Sequence, residues 1–179
     1  MSKLKTVKTI HKGHRSKILL VKKGQKLCIW KRPTGHGRKE SLIKQLGRIK
    51  QWRKFGLSKV KAKWYDDGIL KTYVKGKDLS QIIKKHHHFF SKSSKELKAL
   101  EKFIEAMIDS KRFIHDLKGL NIIFDGKDWN IIDSGPIYKR SKSSVKKEYR
   151  KVLYEKWSKY LDSQSERKDL KSFLAKYFQ

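Results

Sequence analysis

The spacing of apolar residues divides this chain into a strand-rich first part and a largely helical remainder. Thr6 to Ile10, Lys17 to Val21 and Lys26 to Arg32 read as strands, with turns at His11 to Ser16 and at Lys22-Lys23-Gly24-Gln25. In the third strand, Leu27, Ile29 and Lys31 share one face, and Cys28 and Trp30 share the other. The period then lengthens. Leu42, Ile43, Leu46, Ile49 and Trp52 or Phe55 form the stripe of an amphipathic helix predicted from about Arg38 to Phe55. Lys59 to Tyr65 and Ile69 to Val74, joined by Asp66-Asp67-Gly68, read as a β-hairpin.

Beyond Val74, Asp78 or Ser80 suits the N-cap of a short helix. Ser93 and Glu96 stand in the relation of a capping box, heading a helix to about Lys111 with Leu97, Leu100, Ile104, Met107 and Ile108 on one face. Ile122 to Phe124 and Trp129 to Ile132 form a second hairpin that turns at Asp125-Gly126. Two helices close the chain. One carries Val145, Tyr149, Val152, Leu153, Trp157 and Tyr160; the other follows a Ser163 to Glu166 capping box and carries Leu170, Phe173, Leu174, Tyr177 and Phe178. These aromatic stripes read as core. The expected fold is α+β: a small antiparallel sheet with one helix over residues 1–75, then a reduced, mostly helical lobe over 76–179, the two making one domain.

A chain of 179 residues with 37% hydrophobic content can bury a sizeable core and is not disordered by composition. No run of 18 apolar residues occurs, and Met-Ser-Lys-Leu-Lys-Thr lacks the apolar stretch of a secretory signal, so a cytoplasmic location is expected. Cys28 is the single cysteine, can form no internal disulfide, and reads as a core residue of its strand. The net charge of +30, from 47 Lys and Arg against 17 Asp and Glu, draws anions such as nucleic acid, acidic lipid headgroups or phosphorylated glycans. Lysines spread along the whole chain fit a compositional bias as well. His86-His87-His88 point in different directions on a helix or a strand, so they read as a solvated basic segment and not as a metal site.

The chemistry concentrates between Phe113 and Gly135. Asp116 and Asn121 stand five positions apart on a loop, and Asp133 follows the hairpin, which brings three oxygen-bearing side chains towards one edge. Mg²⁺ takes hard oxygen ligands, commonly one or two protein groups completed by phosphate oxygens and water, and Asn121 and Asp133 can supply them. Asp116 is the candidate acceptor for the proton of an incoming hydroxyl. Lys118 would offset charge on a transferred phosphoryl group. Against this, Asp, Asn and Gly clusters are also ordinary turn chemistry.

Ile114-His115-Asp116-Leu117-Lys118-Gly119-Leu120-Asn121 followed by Asp133-Ser134-Gly135 resembles the protein kinase-like superfamily, whose loops read H-R-D-L-K-x-x-N and D-F-G. Ile114, His115 and Ser134 depart from the histidine, arginine and phenylalanine of those motifs. The resemblance implies a minimal two-lobe kinase-like fold with ATP and Mg²⁺ between the lobes. By position, Cys28-Ile29-Trp30-Lys31 is similar to the strand whose lysine holds the nucleotide's phosphates. Glu40, the only acid that precedes Asp66, is either the partner of Lys31 or a carboxylate stabilising its helix N-terminus. Gly13 stands where a phosphate-covering turn belongs, although a basic hairpin turn explains it equally. Tyr73 and Val74 fall in the segment that would join the lobes and bind adenine, or in a plain hairpin exit.

No A-P-E motif or long activation segment follows Gly135, so the peptide-docking half of a eukaryotic-type protein kinase is absent from this stretch. Within the superfamily the chain looks most like bacterial lipopolysaccharide-core sugar kinases. The implied reaction is ATP- and Mg-dependent phosphoryl transfer to a hydroxyl of an anionic acceptor. A glycan or glycolipid is favoured, with peripheral membrane association. The rival readings are a small atypical protein kinase of the RIO type, a pseudokinase-like basic module that binds nucleic acid without catalysis, and a lysine-rich scaffold.

Overall fold

The computed structural model describes residues 3–35, 39–133 and 135–178. His36, Gly37 and Arg38, which include the predicted start of the first helix, and Ser134 of the second motif lie outside the described residues. The architecture is mixed α+β, with a five-stranded antiparallel sheet and, among the described residues, five α-helices. The chain divides into two units. The first comprises residues 1–54 and 59–74, and the second comprises 55–58 and 75–179.

The first unit is built on the sheet order β1-β2-β3-β5-β4, from β1 (Leu4–Lys12), β2 (Ser16–Lys23), β3 (Lys26–Pro33), β4 (Ala62–Tyr65) and β5 (Gly68–Thr72). Alternation places Leu19, Val21 and Leu70 on one face, where Leu4, Cys28, Trp30 and Tyr65 pack against them. The Trp30 and Tyr65 rings meet edge to face with centroids 5.9 Å apart. Cys28 is therefore part of a core cluster, as its apolar neighbours suggest. Asp66 (φ 53°) and Asp67 turn the β4–β5 hairpin, and the Arg32 guanidinium holds the Asp67 carboxylate through Nε at 2.8 and 2.9 Å. Gly68 is required here, since a Cβ would lie 2.3 Å from the carbonyl oxygen of Lys31.

Helix α1 (Lys39–Lys54) buries Leu42, Gln45, Ile49 and Trp52. The predicted stripe is rotated: Ile43 is 51% exposed and Gln45 is buried in its place. Leu42, Ile49 and Trp52, at i, i+7 and i+10, fix the inward direction, and position 45 falls on that line while position 43 does not.

In the second unit, β6 (Lys77–Asp78), β8 (Ile122–Phe124) and β9 (Trp129–Ile131) form one sheet, and β7 (Arg112–Ile114) pairs with β10 (Ile137–Lys139) in another. The helices are α2 (Leu79–Lys85), α3 (Lys95–Asp109), α4 (Lys142–Trp157) and α5 (Gln164–Tyr177). Val145, Tyr149, Leu153 and Trp157, four residues apart along α4, are fully buried. The Trp157 ring stacks on Phe90 at 6.3 Å. Asp78 caps α2 in a reciprocal box with Gln81, and Ser163 and Glu166 form the box expected at the head of α5.

Two local expectations need correction. The cap of α3 is Ser94, not Ser93: its hydroxyl accepts from Leu97 N at 3.0 Å, which leaves Glu96 in the first turn without a reciprocal bond to make. The β8–β9 connection is the loop 125–128 that begins at Asp125-Gly126 as expected, and the Asp125 carboxylate closes it by accepting from both Lys127 N (3.0 Å) and Asp128 N (2.8 Å). His86 to His88 are not simply solvated. His88 donates its backbone N–H to Glu166 (3.2 Å), and its ring lies 2.7 Å from Asp169, partners on α5 that local sequence cannot reveal. No described helix is long and apolar enough to cross a membrane.

Candidate functional site

The candidate loop starts where α3 ends. Lys111 (φ 51°) reverses the chain into β7, whose residues Arg112, Phe113 and Ile114 pair with Lys139, Tyr138 and Ile137 of β10. The other edge of β7 is held by a side chain. The buried Tyr149 hydroxyl accepts from Ile114 N at 2.8 Å and donates to Arg112 O at 2.9 Å, doing for this edge what a neighbouring strand would do. Burial holds this phenol well above its ordinary range, so it stays a neutral donor.

Past Ile114 the chain is anchored at alternate points. Leu117 is fully buried, and its carbonyl accepts the Trp157 indole N–H at 3.1 Å. Gly119 is pressed against Tyr160 and α2: a Cβ there would meet the Tyr160 ring at 2.7 Å and Ser80 N at 3.0 Å. Immediately before these anchors Asp116 adopts φ 65°, a left-handed conformation unusual for a residue with a side chain. Its carbonyl accepts from Lys118 N (2.8 Å) and from Asn121 Nδ2 (3.2 Å). The backbone is thereby tied down, and the carboxylate, about one-third exposed, projects from the loop. Two ammonium groups flank it, Lys118 Nζ at 3.4 Å and Lys156 Nζ at 3.8 Å.

The second motif is laid onto the first by backbone hydrogen bonds. Ile132 N donates to Asn121 O at 2.9 Å, extending the β8–β9 ladder by one step, so that Asp133 leaves the sheet beside Asn121. Gly135 N donates to His115 O and His115 N to Pro136 O, each at 2.9 Å. Gly135 fits this approach because a Cβ would already be 3.2 Å from His115. Asp116, Lys118, Asn121 and Asp133 are thus gathered in the second unit around one loop pair. With its Nδ2 donated to the loop, Asn121 has its amide oxygen as a candidate metal ligand, and Asp133 is a half-buried residue with a carboxylate. Among the described residues no cluster of three or more His, Cys, Asp or Glu side chains is gathered for a metal. Two oxygen donors are nonetheless the protein share that Mg²⁺ takes when phosphates and water complete its shell.

The remaining predicted residues belong to the first unit. Lys31 lies in register between Ile18 and Ile69, on the face shared with Trp64. The Lys39 ammonium, at the start of α1, sits 5.4 Å over the Trp64 ring. Glu40 is in the first turn of α1, where its carboxylate pairs with Lys44 at 2.6 Å on the exposed surface. Gly13 closes the β1–β2 turn by donating to Ser16 O at 3.0 Å, and Thr34 approaches the same turn through its hydroxyl. Tyr73 and Val74 follow β5, with Tyr73 N donating to Leu27 O at 3.5 Å.

Sequence reasoning read Tyr149 and Trp157 as core, which they are, but missed their hydrogen bonds to the loop and missed Lys156. The signal was present in the polar tips of Tyr149 and Trp157, since a phenol or indole at a core position needs a hydrogen-bond partner. No protein-family model matches this chain, and no curated protein matches it in sequence.

Proposed function

We propose that the protein is an ATP- and Mg²⁺-dependent phosphotransferase of minimal kinase-like fold, acting on a hydroxyl of an anionic acceptor. The observation that carries the reading is the pair of backbone ties, Ile132 to Asn121 and Gly135 to His115, which set Asp133 beside Asn121 and next to Asp116. These ties bring together two stretches separated in sequence, which supports the reading. Asn121 and Asp133 would hold the metal. A bound Mg²⁺ supplies charge neutralisation and alignment of the phosphates. Asp116, fixed through its own carbonyl, accepts the acceptor's hydroxyl proton, and Lys118 and Lys156 balance the negative charge gathered there. The resemblance favours a glycan or glycolipid as the acceptor, reached by peripheral association with the inner face of the membrane. A small atypical protein kinase and a non-catalytic nucleic-acid-binding module are the rivals.

Asp116→Ala separates enzyme from pseudoenzyme. ATP affinity by titration and phosphate release or transfer are measured on the same samples. Binding is expected to persist because Asn121 and Asp133 are intact, while turnover falls by about 10² to 10⁴-fold. Parent-level turnover in the variant, or no turnover in the parent with any acceptor, would remove the catalytic reading.

A further inference from the structure

The positive charge is unevenly placed. The first unit, the smaller of the two, carries 22 Lys and Arg against 3 acids, whereas the second carries 25 against 14. Bias towards lysine adds cations everywhere but does not remove acids from one unit and keep them in the other. No acid at all precedes Glu40, in a stretch that holds 13 Lys and Arg.

Strand β1 is where this charge is most open. It stands at the edge of the sheet, and all its residues from Lys5 to Lys12 are exposed. Its sequence from residue 5 repeats in threes, Lys-Thr-Val, Lys-Thr-Ile, then His-Lys. The structure accommodates the repeat with two β-bulges, between Thr6 and Lys8 and between Thr9 and His11. Period three is thereby converted to the period two of a strand. Lys5, Lys8 and His11 pair with Lys22, Leu20 and Ile18 of β2 and line up on one face. Thr6, Thr9 and Lys12 line up on the other. Val7 and Ile10, the bulged residues, sit out of register and are 48% and 49% exposed. Lys5 and Lys8 on the first face oppose β2 residues two positions apart, which sets them about 6.7 Å apart along the strand.

We infer that β1 is a docking strand for double-stranded nucleic acid, contacting its phosphate backbone without reading sequence. A flat bilayer can meet only one face of a strand, whereas a groove with phosphates on both walls uses Lys5 and Lys8 on one face and Lys12 on the other. The threonine hydroxyls are ordinary phosphate donors. No Phe, Trp or Tyr precedes Trp30, so the strand lacks both the stacking platform of a single-strand binder and the aromatic anchors of a membrane surface. The bulges and lysines also disfavour β1 pairing with a strand of a second copy. The inference rests on the surface of the first unit and is independent of phosphoryl transfer.

The test is fluorescence anisotropy of labelled DNA and RNA duplexes of mixed sequence, titrated with the full chain over a salt series. Lys5→Gln/Lys8→Gln/Lys12→Gln is compared with Lys95→Gln/Lys98→Gln/Lys102→Gln, an equal charge change at exposed positions of α3. The β1 variant is expected to bind roughly tenfold or more weakly and to reduce the slope of log K against log salt by about 2 to 3, with the α3 variant close to the parent. Thermal midpoints of both variants establish that they fold. Three outcomes would overturn the inference. One is no duplex binding by the parent at low salt, and another is equal weakening by both triple variants. The third is a β1 variant that loses binding only to phosphatidylglycerol vesicles, which would make the strand a membrane contact.

Discussion

Glu166 provides a stability prediction whose size can be worked from its surroundings. It is the third residue of α5 and only 4% exposed. Its Oε2 accepts from Ser163 N at 3.0 Å, Ser163 Oγ at 3.1 Å and Asp162 N at 3.2 Å, while Oε1 accepts from His88 N at 3.2 Å. Backbone donation from Ser163, assisted by His88, the Ser163 hydroxyl and His87, outweighs burial and lowers the carboxyl from its ordinary value near 4.5 to about 2. Because the folded value is depressed, the stabilisation is fully present above the unfolded value and is lost as pH falls towards 2. At roughly 1.4 kcal/mol per pH unit the separation is worth about 3 kcal/mol at neutral pH and about 2 kcal/mol near pH 3.5. Glu166→Gln removes the charge and turns a donor towards backbone N–H groups. It is expected to cost about 2 to 3 kcal/mol at pH 7 and about 1 kcal/mol less at pH 3.5. Urea denaturation of both proteins at the two pH values measures the difference. An equal loss at both pH values would refute the argument that the ionised carboxylate is what the cap and the histidine segment stabilise. So would a loss at pH 7 of less than about 0.5 kcal/mol, the size of an ordinary surface substitution.

Two further outcomes bear on the loop pair. Asp133→Asn is expected to keep its unfolding midpoint and lose Mg-dependent nucleotide affinity, read by calorimetric titration with and without Mg²⁺; unchanged Mg-ATP affinity would remove the metal assignment. Tyr149→Phe strips β7 of one edge and leaves the buried Ile114 N–H unpaired, so a loss of about 2 to 4 kcal/mol is expected in denaturant unfolding, and a change under about 0.5 kcal/mol would mean that the edge is held some other way.

Much of the architecture was legible because period reports burial directly. A short apolar run marked β2, the two faces of Lys26 to Arg32 marked β3, and the four-residue stripe of α4 marked its core face. The candidate loop was legible for a different reason: Asp116, Asn121 and Asp133 are polar residues flanking a short apolar hairpin, a pattern that periodicity does not produce. The misses share one physical cause, which is that the deciding partner is remote in sequence. β7 and β10 are three residues each and are strands only because they pair with one another. The histidine segment is ordered by carboxylates of α5, and Lys156 reaches Asp116 from a helix whose other positions read as core and solvent. The α3 cap and the rotation of the α1 stripe are the local exceptions: Ser93 and Ser94 offer the same hydroxyl one position apart, and Gln45 lies on the line from Leu42 to Ile49, where its polarity hid that in the sequence.

The membership of residues 55–58 in the second unit has a consequence for cutting the protein. Ile131 N donates to Leu57 O at 3.0 Å, and Ser58 Oγ donates to Ile131 O at 2.8 Å, so this short segment occupies the outer edge of β9. Leu57 is fully buried there. A fragment beginning at Lys75 would carry every helix from α2 onward and still be incomplete. It would expose the backbone edge of β9 and an apolar hollow where Leu57 had been, the conditions under which strands recruit one another between molecules. Neither unit can be released by a single break in the chain. In synthesis from the N-terminus, the plug for β9 is made well before the strand it covers and must wait unpaired until β9 is formed.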